Sequence, residues 1–368
     1  MGRSLNSIVF TVTNDLVTDQ RMQRIVSAFA EAGYTVKLVG RKLPDSPSAD
    51  HLGFPVKRFR CLINKGKLFY LEYNLRLVFW LFFNRFDCVW SVDCDTAWPA
   101  RLICGIKREK WVFDAHELFS RVPEVIDRKR VQQFWQRTEK MAFSNADLCI
   151  TVGPALAGWF ESEYGRKVEV VRNMPSLNNG LYYLPKDEKY VLYQGALNRG
   201  RGLENLIKAM HDVDCKLLIA GEGDLSRQLR NLTFQEGLQG KVIFLGKLSP
   251  AVLPEITAGA WIGYNVSEPM GLSYQLSLNN KFFDYVHAGL PSLINPFPEY
   301  QKLNEEIEVG LITKPEVAEI TRNLQYLLVN KEEHLRLSQN CKIARAIWNW
   351  ENEKLHLLTI FNTAFKHG

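Results

Sequence analysis

"YQGALNRGRGLENLIKAM", Tyr193 to Met210, decides the fold class. A β-prone run ends at Gly195, a loop carries Arg199, Gly200, Arg201 and Gly202, and a helix begins near Leu203. Strand, glycine-bearing turn and helix make the repeating unit of a parallel α/β sheet. The same alternation extends in both directions. Upstream, strands are predicted at Ser7–Thr13, Thr35–Gly40, Val56–Cys61, Cys88–Val92, Trp111–Ala115, Leu148–Val152 and Val168–Val171. Downstream they are predicted at Tyr190–Gly195, Lys216–Ala220, Val242–Gly246, Trp261–Val266, Pro291–Asn295 and Gly310–Thr313. Amphipathic stretches such as Asp19–Ala32 and Arg130–Ser144 lie between them. Apolar strands alternating with helices imply parallel sheets covered on both faces. The pattern breaks at "NMPSLNNGLYYLPKDEK", Asn173 to Lys189, and 368 residues suit two domains. The expectation is an α/β protein of two doubly wound, Rossmann-like parallel-sheet domains facing across a cleft. The first covers 1–172 and the second 173–345. A terminal helix, 346–368, packs back on the first.

Composition narrows the function classes. The chain is 46% hydrophobic and 23% charged, as folded globular proteins are. A net charge of +6 comes without any dense Lys/Arg block, which argues against nucleic acid and suits anionic ligands or an anionic membrane surface. Seven scattered Cys, none in a C-x-x-C pair, and an N-terminus that enters a strand without an apolar leader read as a reduced, cytoplasmic protein. "KLFYLEYNLRLVFWLFFNRF", Lys67 to Phe86, is too interrupted by Glu72, Asn74 and Arg76 to span a bilayer. We read it as a helix buried against a sheet. The alternative leaves part of its Phe/Trp surface free for a lipid interface, beside Lys65, Lys67, Arg76 and Arg85.

Five segments offer chemistry. The Gly195–Gly202 loop reads either as a phosphate cradle, with Arg199 and Arg201 as forked donors, or as a tight turn with solvated arginines. Gly221-Glu222-Gly223 closes another strand at the same sheet edge. In "LSLNNKFFDYVHAGLPSLI", Leu276 to Ile294, a helix capped by Ser277 and ended at Gly289 buries Phe282, Phe283 and Val286 and presents Asn280, Lys281 and Asp284. A Lys at the positive end of a helix is locally unfavourable, and a bound phosphate offsets that. A carboxylate one turn on suits a ribose diol. In the first half Asp114, His116 and Glu117 follow a buried strand, and Asn14, Asp15, Asp19 and Arg21 follow the first one. There is no G-x-x-x-x-G-K-[ST], H-E-x-x-H or G-x-S-x-G motif and no Cys/His metal site.

Together these residues resemble the GT-B glycosyltransferases, most closely the retaining enzymes of glycosyltransferase family 4, along nearly the whole chain. Gly195–Gly202 is similar to that family's G-R-L-x-x-x-K-G loop, with Ala196 at the Arg position and Arg201 at the Lys position. Asp284 precedes Ala288-Gly289-Leu290-Pro291 as the family's ribose-binding acid precedes A-x-G-x-P, while Leu276 stands where an E-x7-E pattern has its first Glu. Asn280-Lys281 before that acid, Asp-Ala-His-Glu at Asp114–Glu117, Arg172-Asn173, and the Asn14/Asp15, Asp19, Arg21 start resemble one sub-branch. The resemblance implies a nucleotide-diphosphate-sugar donor held in the second domain by Gly195, Arg199, Arg201, Glu222, Asn280, Lys281 and Asp284, with the base UDP or GDP. It implies catalytic roles for His116 and Glu117, and an acceptor side at Asn14, Asp15, Asp19, Arg21, Arg172 and Asn173. A glycan or lipid-linked saccharide is the implied acceptor. The reaction is a hexosyl transfer with retention and no metal or other cofactor, by a monomer or weak dimer. A nucleotide-sugar epimerase of the same fold and a non-catalytic nucleotide-sugar or polysaccharide-binding subunit are the alternatives.

Overall fold

Two all-parallel sheets organise the chain. The computed structural model describes residues 5–177 and 188–365, so most of the segment joining the two predicted domains lies outside the described residues. The first sheet contains β1 (Ser7–Asp15), β2 (Thr35–Arg41), β3 (Val56–Phe59), β4 (Cys88–Val92), β5 (Lys110–Ala115), β6 (Leu148–Thr151) and β7 (Glu169–Val170). The second contains β8 (Tyr190–Gln194), β9 (Lys216–Ala220), β10 (Val242–Gly246), β11 (Ile262–Asn265), β12 (Ser292–Ile294) and β13 (Gly310–Ile312). Each of these coincides with a run read from the sequence, with ends shifted by no more than two residues. That agreement has a physical cause, since β4, β6, β8, β11 and β12 are buried at every position and so are mainly apolar and free of charged residues.

The strand orders are β3-β2-β1-β4-β5-β6-β7 and β10-β9-β8-β11-β12-β13. Both are the doubly wound order, in which the chain starts in the middle and reverses direction across the sheet. The reversal falls between β1 and β4 in one sheet and between β8 and β11 in the other. The two compact units are Met1–Asn173 with Glu353–Gly368, and Met174–Asn352. The second unit thus runs past residue 345, because Trp348 is buried against Phe282 and Phe283, and the Trp350 N–H donates to the Pro175 carbonyl. In the first unit Phe361 meets Phe29, Tyr34 and Trp90, and Lys354 pairs with Glu31 at 2.8 Å.

One reading needs correction. The helix Gly66–Phe83 is only half buried. Phe69, Tyr73, Leu77 and Leu81 face the core, whereas Leu68, Leu71, Leu75, Phe79, Phe82 and Phe83 are exposed. Apolar residues all round a helix leave no polar face to mark the solvent side, so burial was the wrong inference from composition. No described helix is long and apolar enough to cross a membrane.

At the carboxyl edge of the second sheet, two loops pack backbone to backbone. The Gly195 N–H donates to the Ala220 carbonyl, and the Leu197 N–H to the Glu222 carbonyl. A Cβ on Gly221 (φ +151°) would fall 1.9 Å from the Gly195 carbonyl oxygen. Gly221→Ala should therefore cost about 2–3 kcal/mol and lower the melting temperature by roughly 5–10 °C. Gly240→Ala, with no atom near its added Cβ, should leave the melt unchanged. Equal melts for both variants would refute the tight packing of these loops.

Candidate functional site

The reversal between β8 and β11 gathers the second unit's polar residues. Strand β8 ends in Tyr193 and Gln194, β11 ends in Asn265, and the helix Asn280–His287 begins nearby. This helix is anchored as its pattern requires, with Phe282, Phe283 and Val286 buried and Gly289 at φ +71° just past its end. Its start differs from the expectation. The cap position is Asn279, not Ser277, whose hydroxyl donates to the Tyr274 carbonyl of the preceding turn. Asn279 does not cap by its side chain either. Its amide donates to Asn265 Oδ1 (3.3 Å) and accepts from Arg201 Nη1 (3.3 Å). The positive end of the helix thus gains no acceptor from the side chain at its cap position.

Lys281 occupies the first turn of that helix and is only 9% exposed. Its Nζ sits 3.9 Å from the centre of the Tyr193 ring, and among the described residues no ion pair reaches it. A cation–π contact is worth about 1–2 kcal/mol, whereas burying an ion costs several. The helix dipole opposes the charge as well. Burial, then the neighbouring Arg201, push the ammonium well below the ordinary lysine range, and Asp284 only partly restores it. Asp284 accepts from Gln194 Nε2 (3.0 Å), and Gln194 in turn accepts from the Thr257 hydroxyl (2.8 Å). Arg201 stacks on Tyr274 with its guanidinium carbon 4.7 Å from the ring centre.

Gly195, Arg201, Lys281 and Asp284 are therefore brought together, since a Cβ on Gly195 would touch Lys281 at 3.5 Å. The other donor-side candidates stand apart. Arg199 is exposed and its charge bears on Glu268. Glu222 is exposed and pairs with Arg230 at 3.0 Å. Asn280 is exposed at the first helical position. Ala196 is exposed, with its carbonyl taken by the Tyr193 hydroxyl, and Leu276 closes the short helix Leu272–Gln275.

In the first unit the carboxyl edge near the β1/β4 reversal is acidic. His116 Nε2 lies 2.9 Å from Arg21 Nε and 3.1 Å from Asp114 Oδ2. Arg21 also donates to the Val171 carbonyl (3.0 Å) and to Asp114 (3.3 Å). The Arg21 N–H needs an acceptor, which the neutral ring supplies when its proton is on Nδ1. Burial would lift the Asp114 carboxyl, but His116, Arg21 and the Trp90 indole N–H hold it well below the usual carboxylate range. Burial opposes the imidazolium, and Asp114 and Asp93 outweigh it, raising His116 above its ordinary value.

The remaining candidates divide into structural and open groups. Asp15 is committed to Arg58 at 2.8 Å and to Ser46. Asp19 caps the helix Gln20–Glu31 by accepting from the Met22 N–H (3.1 Å), and Asn14 donates to Asp19 (3.2 Å). The Arg172 N–H donates to Glu353 (2.7 Å), and Asn173 accepts from Arg24 (2.6 Å). Glu117 is exposed, and its charge raises Asp93. Sequence reading missed Asp93 and Asp95, which follow β4. Asp93 has φ +52°, rare outside glycine, and its Oδ1 accepts from the His116 N–H at 2.8 Å. Asp95 accepts from Thr13 (2.7 Å), while its buried Oδ1 has no partner. Tyr193, Gln194 and Asn279 were missed as well; only their place at strand and helix ends could have signalled them.

Asp93 gives a pH test. Burial, opposed by His116 and aided by Glu117 and Asp95, raises its carboxyl to about 7, against roughly 4 in an unfolded chain. Between those values the folded state keeps a proton that the unfolded state has lost. The group's contribution to stability is thus present below pH ~4 and is lost as pH rises to about 7. Asp93→Asn keeps the acceptor for the His116 N–H but does not titrate. Its melting temperature relative to the parent should rise from about pH 5 to about pH 8. A pH-independent difference would contradict this assignment.

Comparison with known proteins places this geometry. Residues 20–176 match Glycosyltransferase Family 4, and residues 182–343 match Glycosyl transferases group 1. An uncharacterized glycosyltransferase of Methanocaldococcus jannaschii is 37% identical over 92 residues, 23% of this chain and 24% of that relative, so the match spans about a quarter of the relative's length. Sucrose-phosphate synthase of Thermosynechococcus elongatus superposes with a TM-score of 0.81 at 18% identity, over 99% of this chain and 100% of the other. HepE of Anabaena, solved with UDP and glucose, gives 0.76 at 15% identity, over 97% and 100%. At such identities the likeness establishes the fold. With a Glycosyltransferase Family 4 domain followed by a Glycosyl transferases group 1 domain, on two doubly wound sheets, the chain belongs to the GT-B glycosyltransferases.

Proposed function

We propose that the protein transfers a hexose-type sugar from a nucleoside-diphosphate sugar to a hydroxyl of a glycan or lipid-linked saccharide, with retention of configuration and without a metal ion. The observation that carries this reading is Lys281, buried and without an ion pair among the described residues, at a helix start that the Asn279 side chain does not cap and beside Arg201. Desolvation, dipole and like charge all oppose the ammonium, and the charge of a diphosphate offsets them. Asp284, oriented by Gln194, accepts from the ribose diol. That a structure of the same fold holds UDP and glucose supports a donor of this class.

In the reaction the bond from the anomeric carbon to the diphosphate oxygen breaks, and one to the acceptor oxygen forms on the same face. The acceptor's proton passes to the departing phosphate oxygen. Lys281, Arg201 and the helix start stabilise the charge that grows on the leaving group. His116, held by Arg21, Asp114 and Asp93, is a polar group for orienting the reacting hydroxyl.

Thermal shifts with UDP, GDP and their sugars test the donor site. The parent should be stabilised. Lys281→Met should raise the melting temperature of the ligand-free chain, because it removes an uncompensated charge, and should weaken nucleotide binding by about 10- to 150-fold. Asp284→Ala should weaken the sugar nucleotide by roughly tenfold. Unchanged responses in both variants would refute the site. Turnover followed by proton NMR should show the donor's anomeric configuration in the product, and activity should survive chelation; inversion or loss on chelation would overturn that part.

A further inference from the structure

The exposed apolar face of the first unit is the feature that the glycosyl-transfer reading leaves unused. On the helix Gly66–Phe83, Leu68, Leu71, Leu75, Phe79 and Phe82 recur at spacings of three and four residues, so they form one stripe, and Phe83 extends it. Phe79 is 64% exposed and Phe83 78%. The helix Ala97–Lys107 packs against this one and adds Trp98, Leu102 and Ile106, four apart and likewise exposed. Next to these three, with Met141, lies a groove of about 600 Å³. Scattered apolar residues need no explanation, but exposed apolar stripes on two helices packed together do.

The charges say what covers it. Arg60, Lys65, Lys67, Arg85, Arg101 and Arg108 are exposed on or beside the two helices. The only acid of the first helix, Glu72, is taken by Arg76 at 2.8 Å and by the N–H groups of Leu62 and Ile63. The second helix carries no acid. We propose that this face docks on an anionic lipid surface, with the Leu/Phe/Trp stripes in the headgroup–acyl boundary and the lysines and arginines against lipid phosphates. A second copy of the chain fits poorly, because self-pairing would set the same cations against one another. Long basic side chains reach from apolar contact back to the headgroups, so both requirements are met on one face. The inference does not rest on the donor reading, and its test uses no nucleotide.

Full-length protein is sedimented with vesicles of phosphatidylcholine alone or with phosphatidylglycerol added. It should bind the phosphatidylglycerol vesicles at low salt, and release should follow at about 1 M salt, where the screening length is about 3 Å. Lys65→Glu with Lys67→Glu should weaken binding more than tenfold, from about fivefold for each positive charge lost. Phe79→Ser with Phe83→Ser should abolish it. Both double variants replace exposed side chains, so their melting temperatures and nucleotide-induced shifts should match the parent's. No binding by the parent, equal binding to both vesicle types, or binding indifferent to either double variant would overturn the proposal. So would a dimer, seen by analytical ultracentrifugation, that the Phe variant dissolves while vesicles bind nothing.

Discussion

The reversal of strand order is the constraint on which the rest depends. Right-handed crossovers place successive helices on one face while the chain runs outward, and on the other face once it turns back. Between the two middle strands no connection covers the carboxyl edge. β1 and β4 form that gap in one unit, β8 and β11 in the other. The polar residues that collect there are not free choices of a surface loop. Each is fixed by a strand buried along its whole length or by a helix with an apolar face, so it is held in place before any ligand arrives.

The two gaps solve opposite electrostatic problems. In the first unit the burden is negative: Asp93 and Asp95 are lifted to about 7 and about 6, chiefly by burial. Arg21 and His116 neutralise Asp114 but do not reach all of its neighbours, and one oxygen of Asp95 stays unpartnered. In the second unit the burden is positive and centred on Lys281. Hydroxyl groups suit the first arrangement, since they donate to carboxylates. A polyanion suits the second.

Strand positions were legible because the central strands, buried on both faces, carry no charged residue and stand out from their helices. Lys281 and Asp284 were legible because their helix is short and amphipathic, which leaves little doubt about which face they share. Asp93 was not. Its position depends on a positive φ, a backbone choice that an Asp in sequence does not announce. Asp15 and Asp19 looked like site residues because they sit at a strand end, but partners distant in sequence, such as Arg58, or local capping had already claimed them. The exposed face of the helix Gly66–Phe83 was hidden for the reverse reason: with apolar residues on every side, periodicity carries no information about which side is covered.

The departures at Ala196 and Leu276 bear on the same balance. An acid at Leu276 and a base at Ala196 would have added one charge of each sign, leaving the net charge of the loop and helix unchanged. What their absence alters is geometry. In the proposed donor site the cations at hand are Arg201 and Lys281, and these two are held differently. Arg201 is braced by Asn279 and Tyr274, so its fork is oriented in advance. Lys281 lies over the Tyr193 face, a contact that fixes no hydrogen-bond direction for its ammonium. On the proposed donor reading, a braced guanidinium serves binding and a buried ammonium serves the charge that grows on the leaving group. Burial is the first cause that sets the Lys281 ammonium below the ordinary lysine range, so the charge that is hardest to keep is the one that a bound polyanion would favour most.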